Sequence, residues 1–172
     1  AYMTKHNGTY YLQYACPGTQ YNTYADGVYT SDSPLGPFTL QVSNPFSAVP
    51  GGFMTGAGHG STIADRYGNY WHAATMGLFP AGFDRDGVLY CNQNFADYPH
   101  RIPAGTFDAA NWQPEWMLLS YRKPVTASST AAGSNPALAV NETCRDWWSA
   151  GSDAPGQCLC VDLEKEQDIR AI

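Results

Sequence analysis

Charge is what this chain has least of. Only 14% of its 172 residues are Asp, Glu, Lys or Arg, against roughly 25% in an average globular protein. The balance is acidic, with 9 basic against 15 acidic residues and a formal net charge of −6. A surface so poor in cations has little with which to neutralise a phosphate backbone or coat an anionic bilayer, so nucleic acid is excluded as an expected partner. No run approaches the ~20 apolar residues of a membrane span. The N-terminus also lacks the basic-then-apolar pattern of a signal peptide. Because the chain opens inside a strand-like stretch, Ala1-Tyr2-Met3, a leader would lie upstream. Helical periodicity is missing as well. The five cysteines, Cys16, Cys91, Cys144, Cys158 and Cys160, have no zinc spacing, since one residue separates Cys158 from Cys160 where a zinc knuckle needs two to four. An odd count leaves at least one free thiol. The cysteines read as small buried apolar residues with room for one disulfide.

What the chain does have is aromatic residues (14%), 17 glycines and 12 prolines, with a hydrophobic fraction of 44%. That mixture suits short strands and tight turns, and predicts an all-β chain. Residues 7–14 (Asn-Gly-Thr-Tyr-Tyr-Leu-Gln-Tyr) resemble residues 67–74 (Tyr-Gly-Asn-Tyr-Trp-His-Ala-Ala), with Gly8 and Gly68 sixty positions apart. Each reads as a turn glycine feeding an aromatic strand, and a repeat of that size built from strands is the signature of a propeller blade. Residues 27–31 read as a strand running into a loop with two prolines, Asp32 to Phe38. Asp86-Gly87 reads as a type I′ hairpin turn into residues 88–91. Phe46 to Gly58 reads as a connector. Phe107 to Pro114 reads as a loop with aromatic anchors, and residues 116–119 as a last strand. Composition shifts near Tyr121, which places a boundary between a first domain, 1–120, and a second, 121–172.

Four segments now carry a family resemblance. Residues 3–14 (Met-Thr-Lys-His-Asn-Gly-Thr-Tyr-Tyr-Leu-Gln-Tyr), the Gly27–Phe38 stretch, the Gly56-Ala57-Gly58-His59-Gly60-Ser61-Thr62 loop and Gly68-Asn69-Tyr70-Trp71-His72, in this order, resemble glycoside hydrolase family 43. The resemblance implies the last blades of a five-bladed β-propeller with a sugar pocket at one end of its channel. It implies an inverting glycosidase of arabinose-, xylose- or galactose-containing glycans, secreted or periplasmic, with a polysaccharide or oligosaccharide as partner. Inversion needs two carboxyl groups far enough apart to admit a water. By position, the family's general-acid glutamate falls just before Ala1 and the base and tuning aspartates further upstream, so the chain as written is expected to be inactive alone. The rival reading is a noncatalytic carbohydrate-binding or adhesin-like protein.

The carboxylates present have bland readings. Asp26, Asp65 and Asp86 stand beside or near glycines and read as turn residues. Asp84, Asp97, Asp108 and Glu115 read as solvated loop positions. His59 is the candidate to single out, because Gly58 and Gly60 let its backbone approach a central axis. The resemblance implies that its imidazole projects beneath the sugar and helps to hold calcium, mostly through water, since calcium prefers six to eight oxygen ligands. Tyr24 and Phe53 are the first-choice aromatics for stacking on a sugar, ahead of Tyr21 and Phe79, with blade packing the competing role for all four. His72 reads as blade packing, and His6 and His100 as surface. The resemblance also implies a longer loop than the direct run of Ala74-Thr75-Met76 into Gly77-Leu78-Phe79-Pro80.

The second domain has its own signature. Lys123 to Thr130, Pro136 to Asn141, Trp147-Trp148-Ser149-Ala150 and Val161-Asp162-Leu163 resemble the start of a discoidin, or coagulation factor 5/8 C-terminal type, domain. That implies the opening half of a jelly-roll sandwich carrying a carbohydrate-binding surface, with Asp146 near a calcium loop.

Overall fold

The computed structural model describes residues 1–52, 55–75, 77–93 and 101–172. Two compact units divide the chain, Ala1–Trp116 and Met117–Ile172. The all-β expectation holds. Among the described residues the first unit contains nine strands in two antiparallel sheets, and the second contains a two-stranded sheet and one short 3-10 helix, Pro136–Val140.

The first sheet is a meander of β1 (Tyr2–His6), β2 (Thr9–Cys16) and β3 (Ala25–Ser31). β3 is completed along its far edge by β4 (Thr39–Leu40) and then β5 (Ser47–Ala48). His6 pairs directly with Thr9, so Asn7-Gly8 is a two-residue hairpin loop. Both of its residues take positive φ, 45° and 91°, the backbone that this dipeptide favours in a type I′ turn. β5 lies inside the stretch expected to be a plain connector. Asn44 explains how the chain returns to β3, because its side chain accepts from the Val28 amide at 2.7 Å and donates to the Gln41 carbonyl at 2.6 Å.

The second sheet runs β6 (Ser61–Ala64), β7 (Tyr70–Ala74), β8 (Gly77–Phe83) and β9 (Leu89–Cys91) in sequence order. Its first and last hairpins close in the same way. Asp65 Oδ1 accepts from the amides two and four residues on, Tyr67 and Asn69, and Asp84 Oδ1 does the same for Asp86 and Val88. Each loop ends on a glycine in the left-handed region, Gly68 or Gly87. Asp86-Gly87 is therefore not a two-residue type I′ turn. The aspartate that organises it is Asp84, whose carboxylate favours a three-residue loop. Between these hairpins Ala74 pairs with Gly77, so only residues 75 and 76 connect β7 to β8.

The sheets meet through a small core of Tyr11, Val28, Phe46 and Leu89, with Phe83 and Cys91 against it. Val28 and Leu89 are fully buried, each worth about 1.5–3 kcal/mol of removed apolar surface. Gln41 substitutes for a neighbouring strand: its side chain accepts from the Leu89 amide at 2.9 Å and donates to the Leu89 carbonyl at 3.0 Å. His6 is not a free surface group, since its ring stacks on Phe83 at 3.8 Å and its Nδ1 lies 3.2 Å from the Tyr70 hydroxyl. Beyond β9 the chain folds over the second sheet, where Phe107 and Trp112 gather around Trp71 at 5.1 and 6.1 Å. Asn92 donates to the carbonyls of Ala109 and Trp112 and fixes this segment. The strand expected over 116–119 does not form.

In the second unit β10 (Val125–Ala127) pairs antiparallel with β11 (Leu159–Val161). Trp148 donates from Nε1 to the Ser129 carbonyl at 3.2 Å. Cysteines depart from expectation: Cys16, Cys144, Cys158 and Cys160 are exposed and only Cys91 is partly covered, and none is disulfide-bonded. Burial pushes the Cys91 thiol far above its ordinary range, against the lowering effect of its hydrogen bond with Ser47, so it stays a neutral packing group.

Two consequences follow for stability. Partial burial raises the Asp65 carboxyl, but donors from Asn69, Trp71 and Tyr67 outweigh it and bring the pKa from 3.8 to about 2. A carboxyl depressed on folding stabilises the native state above its unfolded value, and that contribution disappears as pH falls towards its folded value. Thermal unfolding followed from pH 5 to pH 2 is expected to show a steeper loss for the wild type than for D65N. Gly60 leads into β6 where a Cβ would come within 2.3 Å of the His72 ring and 2.5 Å of the Asp26 carboxylate. Gly60→Ala is expected to destabilise the first unit by about 3 kcal/mol in urea unfolding. Gly51→Ala, where a Cβ meets nothing within 4 Å, is expected to stay within about 0.5 kcal/mol of wild type.

Candidate functional site

The site grows from β3. Ala25 and Asp26 are flanked by β2 on one side and β5 on the other, so this end of the strand is buried. Asp26 is accordingly not a turn residue: it is 1% exposed and sits mid-sheet. The glycine after it serves contact and not a turn, because a Cβ on Gly27 would lie 2.7 Å from the Tyr14 hydroxyl crossing above.

The Gly56–Gly60 loop is laid along this strand end. Ala57 donates its amide to the Tyr24 carbonyl at 2.8 Å. The amides of His59 and Gly60 then donate to Asp26, one to each carboxylate oxygen, at 3.0 and 2.7 Å. Thr75 ties the loop from the other side, with its amide and hydroxyl both donating to the Gly58 carbonyl. Tyr24 packs against the loop: Cβ atoms on Gly58 and Gly56 would come within 2.7 and 3.0 Å of it. Burial, and then the Asp26 charge, raise the Tyr24 phenol above its ordinary value.

A buried polar chain supports Asp26 from beneath. His72 Nε2 lies 3.1 Å from Asp26 Oδ2, and both side chains are at most 1% exposed. The approach is short enough for an ion pair but poorly aimed for a hydrogen bond, and Nε2 has no other partner. His72 Nδ1 is 3.0 Å from the Thr62 hydroxyl, which donates to Gln13 Oε1 at 2.8 Å. A hydroxyl has one proton to give, so Nδ1 is the donor to Thr62. Gln13 in turn donates to Thr4 at 2.9 Å, and Thr4 to the Thr62 carbonyl at 3.2 Å. His72 is thus a packing residue, under Phe46 at 4.6 Å, and also a member of this chain.

Above Asp26 opens a pocket of about 240 Å³ lined by Ala1, Tyr2, Gln13, Tyr14, Ala15, Asp26, His59, Gly60 and Ser61. His59 is exposed on its rim and takes the left-handed φ of 63°. Partial burial, then Tyr29 and Cys16, raise the Tyr14 phenol, so the pocket offers it as a neutral hydroxyl. Of the aromatics singled out in the sequence, Tyr24 lies buried under the loop, Phe79 is in the core and Tyr21 is exposed. Phe53 lies outside the described residues, as do Asp97 and His100. Gln13, Tyr14, Asp26 and Ser61 are pocket residues that sequence reasoning missed. The one signal available was a carboxylate, Asp26, inside an otherwise strand-like run.

Both oxygens of Asp26 are engaged, and among the described residues no group of three or more His, Cys, Asp or Glu side chains is placed to hold a metal. His59 is the exposed imidazole on the rim, and a calcium ion beside it would take most of its six to eight oxygen ligands from water. Asp65, Asp84 and Asp108 are tied into their own turns. Asp108, for example, accepts from Asn111 and Ala110, and these bonds hold its carboxyl below the usual range.

Solved structures with this fold include a protein described as a glycoside hydrolase (TM-score 0.52, 18% identity, covering 94% of this chain and 41% of that one). Two others are a thermostable family-43 glycoside hydrolase (0.50, 21%, covering 61% and 38%) and the GH43 BlXynB protein from Bacillus licheniformis (0.50, 19%, covering 71% and 27%). The chain thus spans less than half the length of each, and the likeness identifies its two larger sheets as blades of a β-propeller. No curated protein matches the chain. The model of the glycosyl hydrolases family 43 matches residues 1–93, which include both sheets and every described residue of the pocket. The chain belongs to glycosyl hydrolases family 43.

Proposed function

We propose that the chain is part of a longer, secreted or periplasmic glycosidase that hydrolyses arabinose-, xylose- or galactose-containing plant glycans with inversion, and that the pocket above Asp26 is the floor of its sugar site. The observation that carries this reading is the lining itself: the start of β1, the Tyr14 hydroxyl and the His59 loop converge on one small polar opening. A sugar ring needs such a set of neutral donors and acceptors to fix its orientation.

The residues of this chain bind and orient; the carboxyl chemistry comes from elsewhere in the parent. Asp26 is assigned a structural role and not that of the base, because each of its oxygens accepts a backbone amide and Oδ2 also faces His72. An inverting pair stands about 6.5–9.5 Å apart, with one carboxyl protonating the leaving oxygen and the other activating water on the opposite face. Ala1 and Tyr2 line the pocket, so a general-acid glutamate just before Ala1 would enter at its rim. We place calcium beside His59, with water filling most of its shell. The second unit is proposed to be a discoidin-type carbohydrate-binding module of jelly-roll build. In support, its sequence motifs pack together: Val161 pairs with Val125, the Asp162 amide donates to the Pro124 carbonyl at 2.8 Å, and Trp148 bonds Ser129.

Aryl arabinofuranosides and xylosides test the reading. Purified 1–172 is expected to release no aryl alcohol above the buffer rate, while the parent turns over and yields product of inverted anomeric configuration by NMR. In the parent, His59→Ala is expected to lower kcat/KM by roughly 10- to 100-fold with little change in melting temperature. Equal losses of activity and stability would favour a purely structural histidine. A parent that binds oligosaccharides without hydrolysing them would establish the noncatalytic reading instead.

A further inference from the structure

Among the described residues, His59 is one of five other than glycine with positive φ. A residue carrying a side chain seldom enters this region unaided, and the flanking sequence supplies no local cap for it. Thr75 holds the Gly58 carbonyl on one side of the residue, and the bonds to the amides at and after His59 come from 33 and 34 positions away: Asp26 Oδ1 receives the His59 amide, and Asp26 Oδ2 the Gly60 amide, at 3.0 and 2.7 Å. Two successive amides can face the two oxygens of one carboxylate only if the backbone turns between them. The same turn brings the His59 side chain to the rim of the pocket.

We infer that Asp26 is the positioning residue of this site, its carboxylate setting the left-handed turn at His59 and so presenting the imidazole to the pocket. The inference rests on the sugar-site reading for its purpose but on hydrogen bonds within this chain for its substance. It assigns distinct work to the neighbours. Gly60 has no side chain because its place is filled by the His72 ring and the Asp26 carboxylate, 2.3 and 2.5 Å from where a Cβ would stand. His72 backs Oδ2 at 3.1 Å and is itself held by Thr62, whose hydroxyl donates on to Gln13. Asparagine cannot replace Asp26 in this role. Its amide group carries one acceptor oxygen, so in either orientation an –NH2 would confront a backbone N–H.

The test is NMR on the isotopically labelled full chain, without substrate. In the wild type, a through-hydrogen-bond coupling is expected from the His59 and Gly60 amide nitrogens to the Asp26 carboxylate carbon. Its absence would overturn the inference without any variant having to fold. In D26N the two amide protons are expected to move upfield and exchange with solvent roughly tenfold faster, the equivalent of one lost hydrogen bond. The His59 ring resonances are expected to shift with them. A double-mutant cycle adds a stability readout: because Gly adopts positive φ freely, D26N is expected to lower the melting temperature less in an H59G background than in the wild type. Strictly additive effects, or unchanged His59 resonances in a folded D26N, would contradict the proposal. A parent without hydrolytic activity would overturn only the enzyme reading, since none of these signals depends on substrate.

Discussion

One carboxylate organises the first unit's functional end. Asp26 is buried mid-sheet, and a charge there is tolerated only where donors surround it. The donors are the two amides of the His59–Gly60 turn, with the His72 ring against the second oxygen. They come from the loop ahead of β6 and from β7, so the arrangement joins the first sheet to the second at the point where the pocket opens. The polar chain from His72 through Thr62 and Gln13 to Thr4 continues the join along β6, β2 and β1. The apolar core around Val28 and Leu89 supplies most of the cohesion. The polar chain fixes register, because slipping either sheet by one residue would strand several buried donors and acceptors at once.

Much of this was legible in the sequence where the signal was local. Asn7-Gly8 specifies its hairpin through two residues that accept positive φ, whereas the glycines on either side of His59, expected to approach a central axis, are packed against Tyr24, His72 and Asp26. Family-43 membership followed from motifs spread over the same stretch that the family model matches. What escaped was set by distant partners. Asp26-Gly27 resembles a turn because that dipeptide usually makes one. Here the glycine accommodates the Tyr14 ring and the aspartate waits for amides more than thirty residues later. The Asp84 turn was assigned to Asp86-Gly87 for a related reason: the dipeptide is conspicuous, while the carboxylate that accepts from two amides sits two residues earlier. β5 was invisible because two residues cannot show a period, and its strand character comes from pairing with β3.

The aromatics illustrate a further limit. Composition predicts that aromatic residues will be used, but not for what. Trp71, Phe107 and Trp112 cluster beneath the second sheet, and Tyr24 packs beneath the glycine loop. Stacking on a sugar and packing under a backbone call for the same residues, and only the fold separates the two. In the same way the exposed cysteines break the usual association of cysteine with burial, for which no local sequence feature gives warning.

We propose the opening over Asp26 as the place where this family-43 chain meets sugar. Chemical-shift mapping of the proposed parent, titrated with arabino- and xylo-oligosaccharides, tests it most directly. The first unit has a second and larger cavity, about 480 Å³, lined by residues including Arg101, Phe107 and Trp112. Saturable shifts are expected to concentrate on Tyr14, His59, Gly60 and Ser61. Shifts confined to Phe107, Trp112 and their neighbours, with the His59 loop unmoved, would contradict it.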